Sequence, residues 1–279
     1  MNYKIVSDSS ANIYHLDGVD HVNVPLKIIN GDKEFVDQPG MDLMDMIETL
    51  RTTKLRSSTS CPNMQDYLDA FEGADTVYVV TITSNLSGSY ASAMQAKDEY
   101  EQTHEGSKVH VFDSLSAGGE LKLIVDKIRE CADAGQTFEE VCKNVNEYQK
   151  TSHTLFSLES LNNLARNGRV NPAVAAAAGV LGIRVIGKAT EGTLQQLYKC
   201  RGEKKAMDTL WAEMKNRGFY GGKVCIAECL NPEAAKGLAD RILAEYPQSQ
   251  IEIMPCTGLC TFYAEKGGLI VGYEGGTNK

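Results

Sequence analysis

Apolar runs and amphipathic stretches alternate through the first half of the chain, so strand and helix are predicted in turn. Residues 77–82, Val-Tyr-Val-Val-Thr-Ile, are an apolar run of strand length, and residues 91–101 read as the helix that follows. Between them lies a small polar loop, Thr83-Ser84-Asn85-Leu86-Ser87-Gly88-Ser89-Tyr90. The same reading puts strands at 3–7, 22–29, 33–36 and 108–112, and helices at 63–71, 121–134 and 138–149. A further helix, beyond the break at Pro39-Gly40, presents Leu43, Met46, Ile47 and Leu50 on one face. Residues 57–62, Ser-Ser-Thr-Ser-Cys-Pro, read as a hydroxyl-rich loop whose proline opens the next helix. This βαβ alternation predicts an α/β domain over residues 1–150, built on a mostly parallel, doubly wound sheet.

Past residue 150 the pattern changes. A short strand at 153–157 and a short helix at 158–166 lead to the turn Asn167-Gly168-Arg169, and Asn171-Pro172 caps a small-residue helix at 173–178. Residues 184–186 and 195–198 read as a hairpin around Glu191-Gly192. The helix at 203–217 carries Ala206, Leu210 and Trp211 near one face; strand 223–228, helix 232–245 and strand 250–254 follow. Cys256-Thr257-Gly258 then precedes a last helix and a strand at 269–273. Hairpin connections predict a smaller α+β domain over 151–279, with a ligand crevice between the two.

Composition narrows the function classes. The chain has 279 residues, 42% of them hydrophobic, and a net charge of −9. That balance, with no basic run, RNP-like pattern or zinc-finger spacing, argues against nucleic acid as a partner. The longest apolar stretch, 173–183, is too short to span a bilayer, and the N-terminal residues read as a strand and not as a signal peptide, so a cytoplasmic protein is expected. Its eight cysteines are then thiols. Cys225-x3-Cys229 and Cys256-x3-Cys260 resemble zinc-ligand pairs, but residues four apart on a strand are separated by roughly 13 Å. No metal or cofactor is expected.

Chemistry concentrates in the loops. In an open α/β sheet, ligands settle beyond the carboxyl ends of the strands, where helix-start N–H groups are unpaired. The loop after 77–82 suits an anion, because Gly88 lets backbone approach while Ser84, Ser87 and Ser89 offer uncharged donors. It reads equally well as a serine-rich N-cap, and the alternative reading of the Thr59-Ser60 loop is a capped helix start. Asp8-Ser9-Ser10-Ala11 suits either a cap or a ligand.

The motifs Ile5-Val6-Ser7-Asp8-Ser9-Ser10-Ala11, Thr59-Ser60-Cys61-Pro62, Leu86-Ser87-Gly88-Ser89-Tyr90 with Ser92-Ala93, Asp113-Ser114, Gly168-Arg169-Val170 and Lys199-Cys200-Arg201-Gly202 run in this order along nearly the whole chain. In that order and spacing the chain resembles the DegV family, whose members bind a fatty acid between two domains. The resemblance implies that Thr59 and Ser87 hold the carboxylate of a long-chain fatty acid or related lipid, and that a fatty acid kinase is a partner. It extends the site to Ser60, Gly88, Ser89, Cys256, Thr257 and Gly258. Arg169 and Arg201, with Arg166, are candidates to dock the partner or neutralise an acyl phosphate. The family's His-Thr-Gly-Pro-Gly reads here Cys256-Thr257-Gly258-Leu259-Cys260, so a weaker thiol donor replaces imidazole. The family's Lys-Pro reads Arg184-Val185.

Burial of an acyl tail contributes about 0.8 kcal/mol per CH₂, whereas each hydrogen bond to a charged head contributes about 1.5–3 kcal/mol. The tail therefore supplies affinity and the hydroxyls orientation. Ala173, Ala175, Ala176, Ala177, Ala178 and Gly179 leave room for a tail if their helix lines the crevice, and otherwise allow close packing on the sheet. Two other classes stay open. In an acyl hydrolase Ser87 or Cys256 is the nucleophile, but His15, His21, His104, His110 and His153 supply no evident base at that crevice. A small-molecule sensor binds no lipid at all. The expected chain is thus a binding protein without catalytic residues.

Overall fold

The computed structural model describes residues 3–173 and 182–277. Its first half runs β1 (Lys4–Asp8), a 3-10 turn (Ser9–Ala11), β2 (Asp20–Val24), β3 (Lys27–Asn30), β4 (Lys33–Val36), α1 (Leu43–Thr52), β5 (Ser57–Ser60), α2 (Met64–Phe71), β6 (Thr76–Thr81), α3 (Ser89–Thr103), β7 (Lys108–Asp113), α4 (Gly119–Asp133) and α5 (Phe138–Tyr148). After it come β8 (Ser152–Leu158), α6 (Asn162–Arg166), β9 (Ile183–Thr190), β10 (Thr193–Arg201), α7 (Glu203–Asn216), β11 (Lys223–Glu228), α8 (Pro232–Glu245), β12 (Gln250–Pro255), α9 (Gly258–Ala264) and β13 (Leu269–Glu274).

Successive strand residues face opposite ways, and the first sheet uses both faces. Strands β2-β1-β6-β7 pair in parallel throughout. Val6, Val77 and Val79 pack with Tyr67, Phe71 and Tyr100 of α2 and α3. Ile5, Tyr78 and Val80 pack with Leu121, Ile124, Ile128 and Val141 of α4 and α5. Apolar side chains on both faces require helices on both, which is the doubly wound arrangement the sequence predicts.

The later half forms a mixed sheet in the order β10-β9-β8-β13-β11-β12. It holds six strands against four in the first sheet, so the half with fewer residues carries the wider sheet. One face is covered by α7 and α8 through Leu210, Trp211, Met214 and Leu238. Helix α4 lies against this sheet as well as the parallel one. A Cβ on Gly119 would stand 2.2 Å from the Cys225 carbonyl oxygen, so the helix reaches the second sheet only because that position is glycine. The β9–β10 hairpin turns at Glu191-Gly192, both at positive φ, as a two-residue turn of the primed type demands.

Three local expectations are corrected. The single strand read at 22–29 is two strands in different sheets, because Pro25 lacks an N–H and ends the parallel ladder before β3 pairs antiparallel with β4 and β5. Residues 57–60, read as loop, form β5, with Ile28 opposite Thr59. Serine and threonine carry little strand signal, and the ladder partner supplies it. The expected helix at 158–166 is confined to α6. Of the small-residue helix, Ala173 is described and exposed; Ala175, Ala176, Ala177, Ala178 and Gly179 lie outside the described residues.

Candidate functional site

Three loops leave the carboxyl ends of β1, β6 and β7, and buried polar groups bind them together. The Asp8 carboxyl accepts from Ser10 N at 3.1 Å and from Ile82 N at 2.8 Å, tying the first loop to the second. Complete burial pushes its pKa up to about 6, against the opposing pull of these hydrogen bonds. Thr83 N donates to the Ser116 carbonyl at 3.0 Å, tying the second loop to the third.

A cavity of about 320 Å³ opens beside these loops, within the range of small-molecule sites. Its apolar wall includes Leu26, Ile82, Phe156, Leu164, Leu194 and Ile270, drawn from both large sheets and the segments beside them. Thr59 and Ser60 reach it from the end of β5, and Ser87 and Gly88 from the start of α3. These two segments touch: a Cβ on Gly88 would stand 2.9 Å from Cys61 Sγ, so glycine permits the close approach. Arg169 also lines the cavity, and its Nε donates to the Leu86 carbonyl at 3.2 Å, bracing the serine loop.

Each proposed head-group hydroxyl has a neighbour. Thr59 Oγ1 lies 2.7 Å from the Tyr263 hydroxyl, and Ser87 Oγ lies 3.0 Å from Ser89 Oγ and accepts from Ser89 N at 3.2 Å. Ser89 is fully buried and stands behind Ser87, outside the cavity wall. Arg201 is exposed on β10 and is also outside it.

Cys256, Thr257 and Gly258 likewise do not line the cavity, and the structure gives them other partners. Cys256 is buried in an apolar cluster with Leu158, Leu164, Cys229 and Ala264, and burial raises its thiol pKa well above the ordinary value. Thr257 Oγ1 and Gly258 N donate to Asp37 at 3.1 and 2.8 Å, and Leu259 N does so at 2.8 Å. The α9 N-terminus is therefore already capped by a carboxyl group of the chain itself. Asp8, Ser9 and Ser10 are also outside the lining; Asp8 caps its own turn, and the Ser9 carbonyl shares the single Thr257 Oγ1 proton with Asp37, 3.1 Å from each acceptor.

Sequence reasoning missed what α9 does contribute. Leu259, Cys260 and Tyr263 line the cavity, and Leu259 and Tyr263, four apart, share a helix face. That periodicity was the available signal. It also missed Asp37, which accepts from the start of α9, and Ser116 and Thr154, which line the cavity. None of the five histidines is among the lining residues. His21 Nε2 is 2.9 Å from Ser7 Oγ, and burial lowers its pKa to about 4. All eight cysteines are free thiols.

The model of the DegV family, described as uncharacterised protein, DegV family, matches residues 2–274. The chain belongs to the DegV family. A DegV domain-containing protein of Streptococcus pneumoniae is 43% identical over 279 residues, covering 98% of this chain and 99% of the relative. The crystal structure of the Streptococcus pneumoniae Fatty Acid Kinase (Fak) B3 protein loaded with linoleic acid is similar with a TM-score of 0.97 and 42% identity, over 99% of this chain and 100% of that one. A DegV family protein from Eubacterium eligens loaded with heptadecanoic acid gives a TM-score of 0.96 at 39% identity, over 98% of this chain and 100% of that one. In this DegV protein the two-domain α/β arrangement expected from the sequence is thus shared with solved relatives. Among its described residues no helix is long and apolar enough to cross a membrane.

Proposed function

We propose that this DegV protein is a fatty-acid-binding protein that presents its ligand to a fatty acid kinase. The observation that carries the reading is one cavity in which a mostly apolar wall meets two hydroxyl-bearing segments, Thr59-Ser60 and Ser87-Gly88. Relatives with nearly the same fold were crystallised with linoleic and heptadecanoic acids, and one of them is a fatty acid kinase B protein. Thr59 and Ser87 hold the carboxylate, with Ser60, Gly88 and Ser89 shaping that corner. The tail lies along the apolar wall and contributes on the order of 10 kcal/mol for a long chain. Cys256, Thr257 and Gly258 act behind the wall by holding α9. Arg169 and Arg201 face the partner or the acyl phosphate. Residues 1–150 form the domain that carries the head-group loops and 151–279 the domain over the tail; the change from parallel to mixed sheet after α5 supports that division. We place the protein in the cytoplasm and assign it no catalysis of its own: Ser87 has Ser89 as its hydroxyl neighbour and no imidazole lines the cavity.

Organic extraction of protein purified from its own host, followed by mass spectrometry, tests the reading. Recovery of an acyl chain with a free carboxylate, in near-stoichiometric amount, is expected. Turnover of activated acyl esters that Ser87→Ala abolishes would instead establish the hydrolase, and a polar occupant the sensor.

A further inference from the structure

The cavity has a second polar feature that the carboxylate reading leaves unused. Ser116 and Thr154 line it and are 2% and 5% exposed. Their hydroxyl oxygens lie 2.5 Å apart; Thr154 donates to one oxygen of Glu120 at 2.7 Å, and Ser152 donates to the other at 2.8 Å. Glu120, in the first turn of α4, is 4% exposed. Among the described residues, this group shares no hydrogen bond with the Thr59–Tyr263 or Ser87–Ser89 pairs.

Proton counting gives the group a direction. A threonine hydroxyl has one proton. Thr154 commits it to Glu120, and the Ser116 proton has Thr154 Oγ1 at 2.5 Å or the Ala117 carbonyl at 3.4 Å to take it. What remains for the cavity is a pair of oxygens that accept and do not donate. A carboxylate brings no proton to such a surface, and a bare methylene chain leaves it without a donor; an O–H on the chain supplies the missing partner.

We infer that Ser116 and Thr154, anchored by Glu120, form a second subsite that accepts a hydrogen bond from a hydroxyl group carried part-way along the acyl chain. The ligand class then includes hydroxylated long-chain fatty acids. This rests on the cavity being the fatty-acid site. Where such a hydroxyl meets only apolar wall, burying it weakens binding; at this subsite it does not.

The test is calorimetric titration of the full chain with octadecanoic acid and a positional series of monohydroxyoctadecanoic acids, on the parent, Thr154→Val, Thr154→Ser and Ser116→Ala. For at least one hydroxyl position, the hydroxy acid is expected to bind at least as tightly as octadecanoic acid. Thr154→Val should weaken that acid about tenfold more than it changes octadecanoic acid, with Thr154→Ser restoring parent behaviour. If Thr154→Val does not fold, Ser116→Ala decides by the same criterion. The inference is overturned if every hydroxy acid binds more weakly than octadecanoic acid, or if the variant weakens both acids equally. Failure of octadecanoic acid itself to bind the parent overturns the cavity reading as well.

Discussion

The hydroxyls of Thr59 and Tyr263 meet at 2.7 Å across 204 positions of sequence. Strand β5 brings one and helix α9 the other, so a helix from the far end of the chain fixes the orientation of a head-group threonine. Tyr263→Phe removes that partner and keeps the ring. The expected effect is a loss of about three- to tenfold in fatty-acid affinity with no change of fold, the size of one ordinary hydrogen bond. Titration calorimetry of parent and variant with the same acid measures it, and an unchanged Kd contradicts the positioning role.

Asp37 should matter for stability before it matters for binding. Fully buried, it accepts from Tyr14, Thr257, Gly258 and Leu259 and so holds the start of α9 to the first half of the chain. Asp37→Asn turns half of those acceptors into a donor aimed at donors. A loss of about 2–4 kcal/mol in unfolding free energy is expected, read from urea denaturation, whereas Thr257→Ser, which keeps the hydroxyl, should be close to neutral.

A buried carboxyl and a partly buried imidazole titrate in opposite senses across the same pH window. Asp8 rises from 3.8 to about 6 on folding, so its stabilising contribution is complete below 3.8 and is lost as pH climbs through 6. His21 falls from 6.5 to about 4, so its contribution is complete above 6.5 and is lost as pH drops through 4. Each is worth on the order of a few kcal/mol, and the two oppose one another. Asp8→Asn should leave a stability profile that rises more steeply with pH than the parent's across this interval, and His21→Asn one that falls. Denaturant titrations at several pH values check both slopes; parallel profiles for all three proteins contradict the assignment.

Gly88 and Cys61 should be coupled. A methyl group at 88 meets Cys61 Sγ at 2.9 Å, and φ at Gly88 is −76°, so the obstacle is the thiol and not the backbone. Gly88→Ala is expected to weaken fatty-acid binding by pushing the Ser87 loop from Thr59. Adding Cys61→Ala clears the space, and the double variant should regain most of the loss, with a coupling of about 1 kcal/mol. Additive losses in the cycle contradict the contact.

How much of this was legible depends on where each signal lives. The parallel sheet was plain from continuous apolar runs such as Val77 to Val80, because burial on both faces leaves no alternation to misread. The placement of Ser87 and Gly88 beyond the carboxyl end of β6 was legible because the strand, loop and helix around them are contiguous. Strand β5 was not, since Ser57, Ser58, Thr59 and Ser60 take their conformation from pairing with β3. Asp37 was illegible for a related reason: its role depends on the approach of a helix more than 200 residues later. Thr257 and Gly258, which the resemblance adds to the site, have the Asp37 carboxyl as their partner. Cys256 looked like a lost ligand-binding position, and the structure places its side chain in apolar packing behind the wall.

The central claim is that uncharged hydroxyls at Thr59 and Ser87 read an acidic head while the cavity takes the chain. The direct measurement is equilibrium binding of one long-chain fatty acid and its methyl ester to the parent, Thr59→Ala and Ser87→Ala, each checked for an unchanged melting temperature. The account predicts that the acid binds the parent tightly, that each substitution weakens it by about tenfold or more, and that the ester binds weakly and indifferently to all three. Equal affinity for acid and ester in the parent, or full acid affinity in both variants, would contradict it.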